Sequence, residues 1–211
     1  MSQELFSKYP EITKPEKLLE FYTDAKFFCM QYDEFVHDIN WQNSRSFESI
    51  DSAEFYWEYV WVVLCSGFSV KASRNIIDKL KSDPTNFSLV RHPLKRKAIE
   101  YAFQHHFTWL QQLKECDTDN SKLLLLETFS FIGPITKYHL AKNIGLQVAK
   151  PDVHLARVAE RFCSKTNAIS LVQKLCEFIS KSTGDKVPTV DLILWRWCEQ
   201  HRGYYNESDW K

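Results

Sequence analysis

The residues with the clearest chemical potential lie in Phe129–Arg161, FSFIGPITKYHLAKNIGLQVAKPDVHLARVAER. Phe131, Ile132, Gly133, Pro134, Ile135 and Thr136 read as a tight hairpin in front of a helix. Gly133 is expected to adopt backbone angles that other residues resist, and Pro134 to set the first turn of the helix. Backbone N–H groups at such a helix start can hold a phosphate. Gly145 stops the helix, and a lone carboxylate, Asp152, opens the next one, with His154 and Arg157 one turn on. A phosphate grip and one acid at a fixed distance suit a protein that holds a nucleotide. The plainer reading is an ordinary turn between helices followed by an aspartate N-cap, which Asp152 after Pro151 would also satisfy.

The elements that must position these residues are helical. Apolar residues recur at helical spacing in nearly every segment. A first helix follows Pro15, with Leu18, Leu19, Tyr22, Phe27 and Phe28. Ser52 is expected to cap a strongly apolar helix that ends near Gly67. Further helices are expected over 71–81, 94–114, 122–129, 138–144, 153–162 and 168–182. In 94–114, Ala98, Ala102, Phe103, Phe107 and Leu110 share one side. A last helix opens at Thr189 after Pro188, taken as a breaker. The fold class is all-α, expected as two helical subdomains flanking a cleft. One comprises 1–48 with 165–211. The other comprises 49–164 and carries the hairpin, about 129–145, and Asp152.

The chain has 211 residues, enough for a full core. It is 44% hydrophobic and 15% aromatic with five Gly and seven Pro, the composition of a globular rather than a disordered chain. No apolar run reaches the roughly 18 residues of a membrane span, and the N-terminus has no signal-peptide core. A cytoplasmic protein is expected, or a nuclear one in a eukaryote. The six cysteines are scattered without a CxxC pair, so buried neutral thiols are expected and no metal site. Net charge is zero but unevenly placed. Residues 1–60 hold 12 acids and 5 bases, whereas 61–165 hold 16 bases and 9 acids. A basic middle segment can present a face to phosphates, unless the two halves simply pair as salt bridges.

The runs FIGPITKYHLAKNIG and KPDVHLARVAER resemble the hairpin, helix and acid signature of the helix-hairpin-helix DNA glycosylase superfamily. FIGPITKYHLAKNIGL is also similar to the matching run of 3-methyladenine glycosylase I. The late DLILWRW and the C-terminal Lys211 resemble the archaeal-type 8-oxoguanine glycosylases. The resemblance covers about residues 50–200. It implies an enzyme that excises a modified base from double-stranded DNA in base excision repair, acting as a monomer and without a cofactor. The target base must leave the stack, and Asp152 would stabilise the oxocarbenium-like sugar as the glycosidic bond breaks.

Superfamily members that also cut the strand carry a lysine nucleophile in the helix after the hairpin. Aligned through Gly133, Gly145 and Asp152, that place is held by Ile135. Lys137 lies two residues on, about 200° around the helix axis. The resemblance thus leans to a glycosylase without lyase activity, with Lys137 the alternative nucleophile and otherwise a phosphate contact or solvated lysine.

Other residues carry weaker implications. The turn Ser66–Lys71 matches one that faces DNA in the superfamily. Phe68 is a candidate wedge for the gap left by an extruded base, with Lys71 beside it; a buried Phe is the equal alternative. Phe131 and Trp195 are candidates for the base pocket, with Trp61, Trp197 and Tyr204 behind them, although aromatics at helical spacing are more often core. The cluster Arg91–Lys97 offers phosphate contacts or a solvated loop. His105 and His106 have no ligand spacing. Two other functions remain open. One is a DNA-binding module without chemistry, and the other an all-α protein that binds a partner through its acidic N-terminal face.

Overall fold

The computed structural model describes residues 3–164 and 168–201. Tyr204 and Lys211 lie outside the described residues. Among those described, every regular element is helical, and one isolated antiparallel bridge joins Ile12 to Cys163. The chain forms two compact units, residues 1–44 with 147–211 and residues 45–146.

The first unit contains α1 (Gln3–Lys8), α2 (Pro15–Cys29) and α3 (Asp33–Ser44). Its second half supplies α9 (Val153–Phe162), α10 (Ala168–Thr183) and α11 (Val187–Gln200). Helix α9 shows why the segment belongs here. Leu155, Val158, Ala159 and Phe162 form a buried stripe at helical spacing, while Val153, Arg157 and Glu160 are exposed. The stripe joins a core with Leu18, Tyr22, Phe178 and Ile193. Burying each Leu, Val, Ile or Phe of this core contributes roughly 1.5–3 kcal/mol. Order along the chain groups 147–164 with the hairpin. The packing of this stripe instead places Asp152 with the chain's two ends.

The second unit contains α4 (Ser52–Cys65), α5 (Val70–Ser82), a 3-10 turn (Phe87–Leu89), α6 (Pro93–Lys114), α7 (Asp119–Glu127) and α8 (Thr136–Asn143). Helix α4 is apolar on most of its surface, and Phe55, Tyr59, Val60, Val63 and Leu64 are fully buried. Helices α5, α6 and α8 all pack against it. The run Val60–Val63, β-branched at three of its four positions, stays helical because burial outweighs its local strand preference.

Several boundaries differ from those read in the sequence. The cap of α4 is Asp51, whose carboxylate accepts the Glu54 N–H at 2.8 Å, and Ser52 is the first helical residue. Pro188 does not break a helix but sits in the first turn of α11, where its missing N–H costs nothing. Helix α3 escaped the reading because its buried stripe is narrow, only Phe35, Ile39 and Gln42. Phe27 and Phe107, which belong to the apolar spacing of their helices, are exposed.

Candidate nucleic-acid interface

The hairpin between α7 and α8 is anchored on both sides of its tip. Phe129 stacks on Trp109 of α6, with ring centroids 4.2 Å apart. The Tyr59 hydroxyl donates to the Ser130 carbonyl at 2.8 Å, and Ile132 is buried. Held at these points, the chain turns at Phe131, which has a positive φ of 64°. The sequence reading placed the special conformation at Gly133, but Gly133 has no positive φ. Backbone conformation therefore does not demand glycine at this position. A Cβ at Gly133 would meet only Thr136 Oγ1, at 3.9 Å.

Thr136 closes the turn. Its hydroxyl accepts the Gly133 N–H at 2.7 Å, so that donor is occupied by the protein itself. The Gly133 carbonyl accepts the Lys137 N–H at 3.0 Å. Pro134 stands before the helix, and Ile135 takes the N-cap position with no side chain capping α8. Among the described residues no acceptor engages the Ile135 and Thr136 N–H groups, the donors such a helix start leaves over.

Asp152 is the N-cap of α9. Its Oδ1 accepts the N–H groups of His154 at 3.0 Å and Leu155 at 3.2 Å, and its Oδ2 lies 3.7 Å from the Lys150 ammonium. The side chain is 14% exposed, so the carboxylate is fixed but reachable. The segment leading to it is held by side chains the sequence did not single out. Gln173 accepts the Ala149 N–H at 2.8 Å and donates to the Gln147 carbonyl. Asp191, 1% exposed in α11, accepts the Lys150 N–H at 2.5 Å. A buried acid inside the apolar run VDLILW is a visible clue, since such a group requires a partner. His154 contributes its backbone N–H to the cap, and Arg157 is exposed one turn on. Burial, then the nearby Asp152 charge, push the Cys198 thiol up to about 12, while Arg157 opposes them.

Lys137 is not presented as an open amine. Its ammonium lies 2.5 Å from Glu127 Oε2 at the end of α7, and its side chain is 14% exposed. Ile135, at the N-cap position of α8, is half-buried.

Phe68 covers a buried amine. Lys95 of α6, 3% exposed, donates to the carbonyls of Leu64 at 3.2 Å and Ser66 at 2.6 Å. The Phe68 ring lies 4.3 Å above that ammonium. Desolvation holds the Lys95 amine below the usual lysine range. Lys71, in the first turn of α5, is exposed. In the basic cluster His92 caps α6 through Nδ1, Lys95 is buried, and Arg91 and Lys97 are exposed. His105 stacks on Tyr101, and burial lowers the pKa of His106, which packs on Tyr56 and Phe103.

Trp195 is half-buried on α11 and the Arg196 guanidinium lies 5.1 Å from its ring centroid. Trp197 is committed to packing, edge-on to Phe21 and stacked on His201. Phe131 belongs to the second unit and Trp195 to the first.

The helical fold is shared with the Methanocaldococcus jannaschii 8-oxoguanine glycosylase/lyase, whose crystal structure holds a 15mer DNA containing 8-oxoguanine. The TM-score is 0.60 over 92% of this chain and 99% of that one, at 16% sequence identity. At that identity the likeness is one of fold. No protein-family model and no curated protein sequence matches the chain.

Proposed function

We propose that this protein is a DNA N-glycosylase that excises a modified base from double-stranded DNA and leaves the strand uncut. The observation that carries the proposal is Asp152, a reachable carboxylate locked by two backbone N–H groups at a helix start. It occurs on a fold shared with a DNA-bound glycosylase/lyase. In this reading the N–H groups of Ile135 and Thr136 hold the DNA backbone, and the absence of a side chain at Gly133 lets a phosphate approach. As the bond from sugar to base breaks, the base leaves with the electron pair and the sugar becomes cationic. Asp152 stabilises that cation until water adds to the sugar carbon and loses its proton. Trp195 is assigned to the base, Phe68 and Lys71 to the DNA around the gap, and His154 and Arg157 to support of the acid and the backbone.

Ile135 in place of a nucleophilic lysine, and the pairing of Lys137 with Glu127, favour hydrolysis over strand cleavage. A lyase reaction through Lys137 would require its ammonium to leave Glu127 and lose a proton before attacking the sugar.

The test is a panel of duplexes with single lesions. It would include 8-oxoguanine, uracil, 3-methyladenine, hypoxanthine and bulky modified bases, with products read before and after alkali. Release of one base, with strand breaks only after alkali, is the expected result. A protein that binds duplex but releases no base from any member would be a DNA-binding module.

A further inference from the structure

We infer that a depression on the second unit, between α6 and the hairpin, is a binding site for an unpaired nucleobase. The inference rests on the reading that the protein binds DNA. Leu94, Lys97, Ala98, Tyr101, Ser130 and Phe131 line a cavity of about 410 Å³, open to solvent. It involves neither Asp152 nor Trp195. Two of its apolar wall residues are strongly exposed, Leu94 at 61% and Tyr101 at 53%. Exposed apolar residues gathered around a concavity, rather than scattered singly, mark a binding surface.

Three features specify the occupant. First, the aromatic walls are fixed. His105 stacks on Tyr101 with centroids 3.9 Å apart, and Phe131 meets His92 edge-on at 6.1 Å. Rings held in advance lose little freedom when a flat partner arrives. Second, Phe131 is the described non-glycine residue with positive φ. That conformation is costly for a bulky side chain and persists only where the surroundings enforce it, which is typical of ligand contacts. Third, the cation at the site is unpaired. Lys97 lines the cavity, is exposed and has no carboxylate partner among the described residues. Flat apolar faces beside a lysine fit a base with its own phosphate, and base–aromatic stacking tolerates any base. A purely apolar partner would leave the ammonium unused.

The experiment measures affinity for two duplexes, each with a one-nucleotide bulge. In one the bulged nucleotide carries a base, and in the other it is an abasic tetrahydrofuran. The wild-type protein is expected to prefer the base-bearing bulge about tenfold. Tyr101→Ala and Leu94→Ser should each bring the ratio close to one. Leu94→Ser changes only an exposed side chain, so it tests the site even if Tyr101→Ala folds poorly. Phe107→Ala, an exposed aromatic on the same helix outside the lining, should keep the wild-type ratio. Equal wild-type affinities, or a ratio retained in both lining variants, overturn the inference while the glycosylase reading stands. Failure to bind any duplex removes both.

Discussion

Lys137 and Glu127 form an ion pair of 2.5 Å between the first turn of α8 and the last turn of α7. The pair straddles the hairpin, so the lysine closes the base of the turn as a cross-link between the two helices. This gives Lys137 a role independent of chemistry on DNA. Borohydride is expected to trap no covalent protein–DNA complex, and Lys137→Ala to change base release by less than about threefold. Trapping that disappears in Lys137→Ala would establish the lyase reaction instead.

Asp152 serves two purposes that one substitution separates. Asparagine caps helices about as well as aspartate, so Asp152→Asn should lower stability by less than about 1 kcal/mol. It removes the negative charge, however, and base release should fall by at least about a hundredfold. Asp152→Ala should lose both, costing about 1–2 kcal/mol in urea unfolding as well. Full activity in Asp152→Asn, on a duplex the wild type cleaves, would remove Asp152 from the mechanism.

Two glycines flank α8 for different reasons, and alanine distinguishes them. Gly145 has a φ of +97°, and a Cβ there would stand 2.4 Å from the Phe47 backbone nitrogen. Backbone cannot yield as a side-chain tip does, so Gly145→Ala should cost more than about 3 kcal/mol in unfolding experiments. Gly133 has neither constraint, and Gly133→Ala should leave stability within about 1 kcal/mol. Its effect should appear in DNA affinity, with a loss of about tenfold or more, because the methyl would stand where a phosphate approaches. Unchanged duplex affinity in Gly133→Ala would argue against the hairpin grip.

These residues show what a sequence discloses. The helix Val153–Phe162 and the capping position of Asp152 were legible because both are local, a periodic stripe and a side chain bonding to residues two and three positions on. The special backbone angle at Phe131 was not legible. It follows from Tyr59, Trp109 and the burial of Ile132, contacts made across tens of residues, and nothing about a phenylalanine announces it. The same holds for Asp191 and Gln173, whose partners in 147–150 are known only once α10 and α11 have packed. Asp152 lies near the hairpin in sequence but not in the same unit, because the buried stripe of α9 decides which core that segment joins.

Glu58 gives the second unit a pH dependence of a definite sign. Its carboxyl sits on α4 with 16% of the side chain exposed. It accepts the Asn143 side-chain N–H at 2.9 Å, and an Arg45 nitrogen lies 3.9 Å away. Burial pushes its pKa up to about 7, with a smaller push from Glu54, against the opposing pull of Arg45, Asn143 and Lys81. A carboxyl whose folded pKa exceeds its unfolded value of 4.5 binds more protons in the folded state between those limits. Its contribution is therefore greatest below about pH 4.5, is lost as pH rises to about 7, and is constant above. Other carboxylates add slopes of their own, so the measurement is the difference between the wild type and Glu58→Gln. Glutamine keeps the volume and an acceptor for Asn143 but cannot ionise. From urea unfolding across pH 4 to 8, the wild type should lose on the order of 3 kcal/mol relative to the variant as pH rises. A flat difference, or one of opposite slope, would mean that Glu58 remains ionised beside Arg45 throughout.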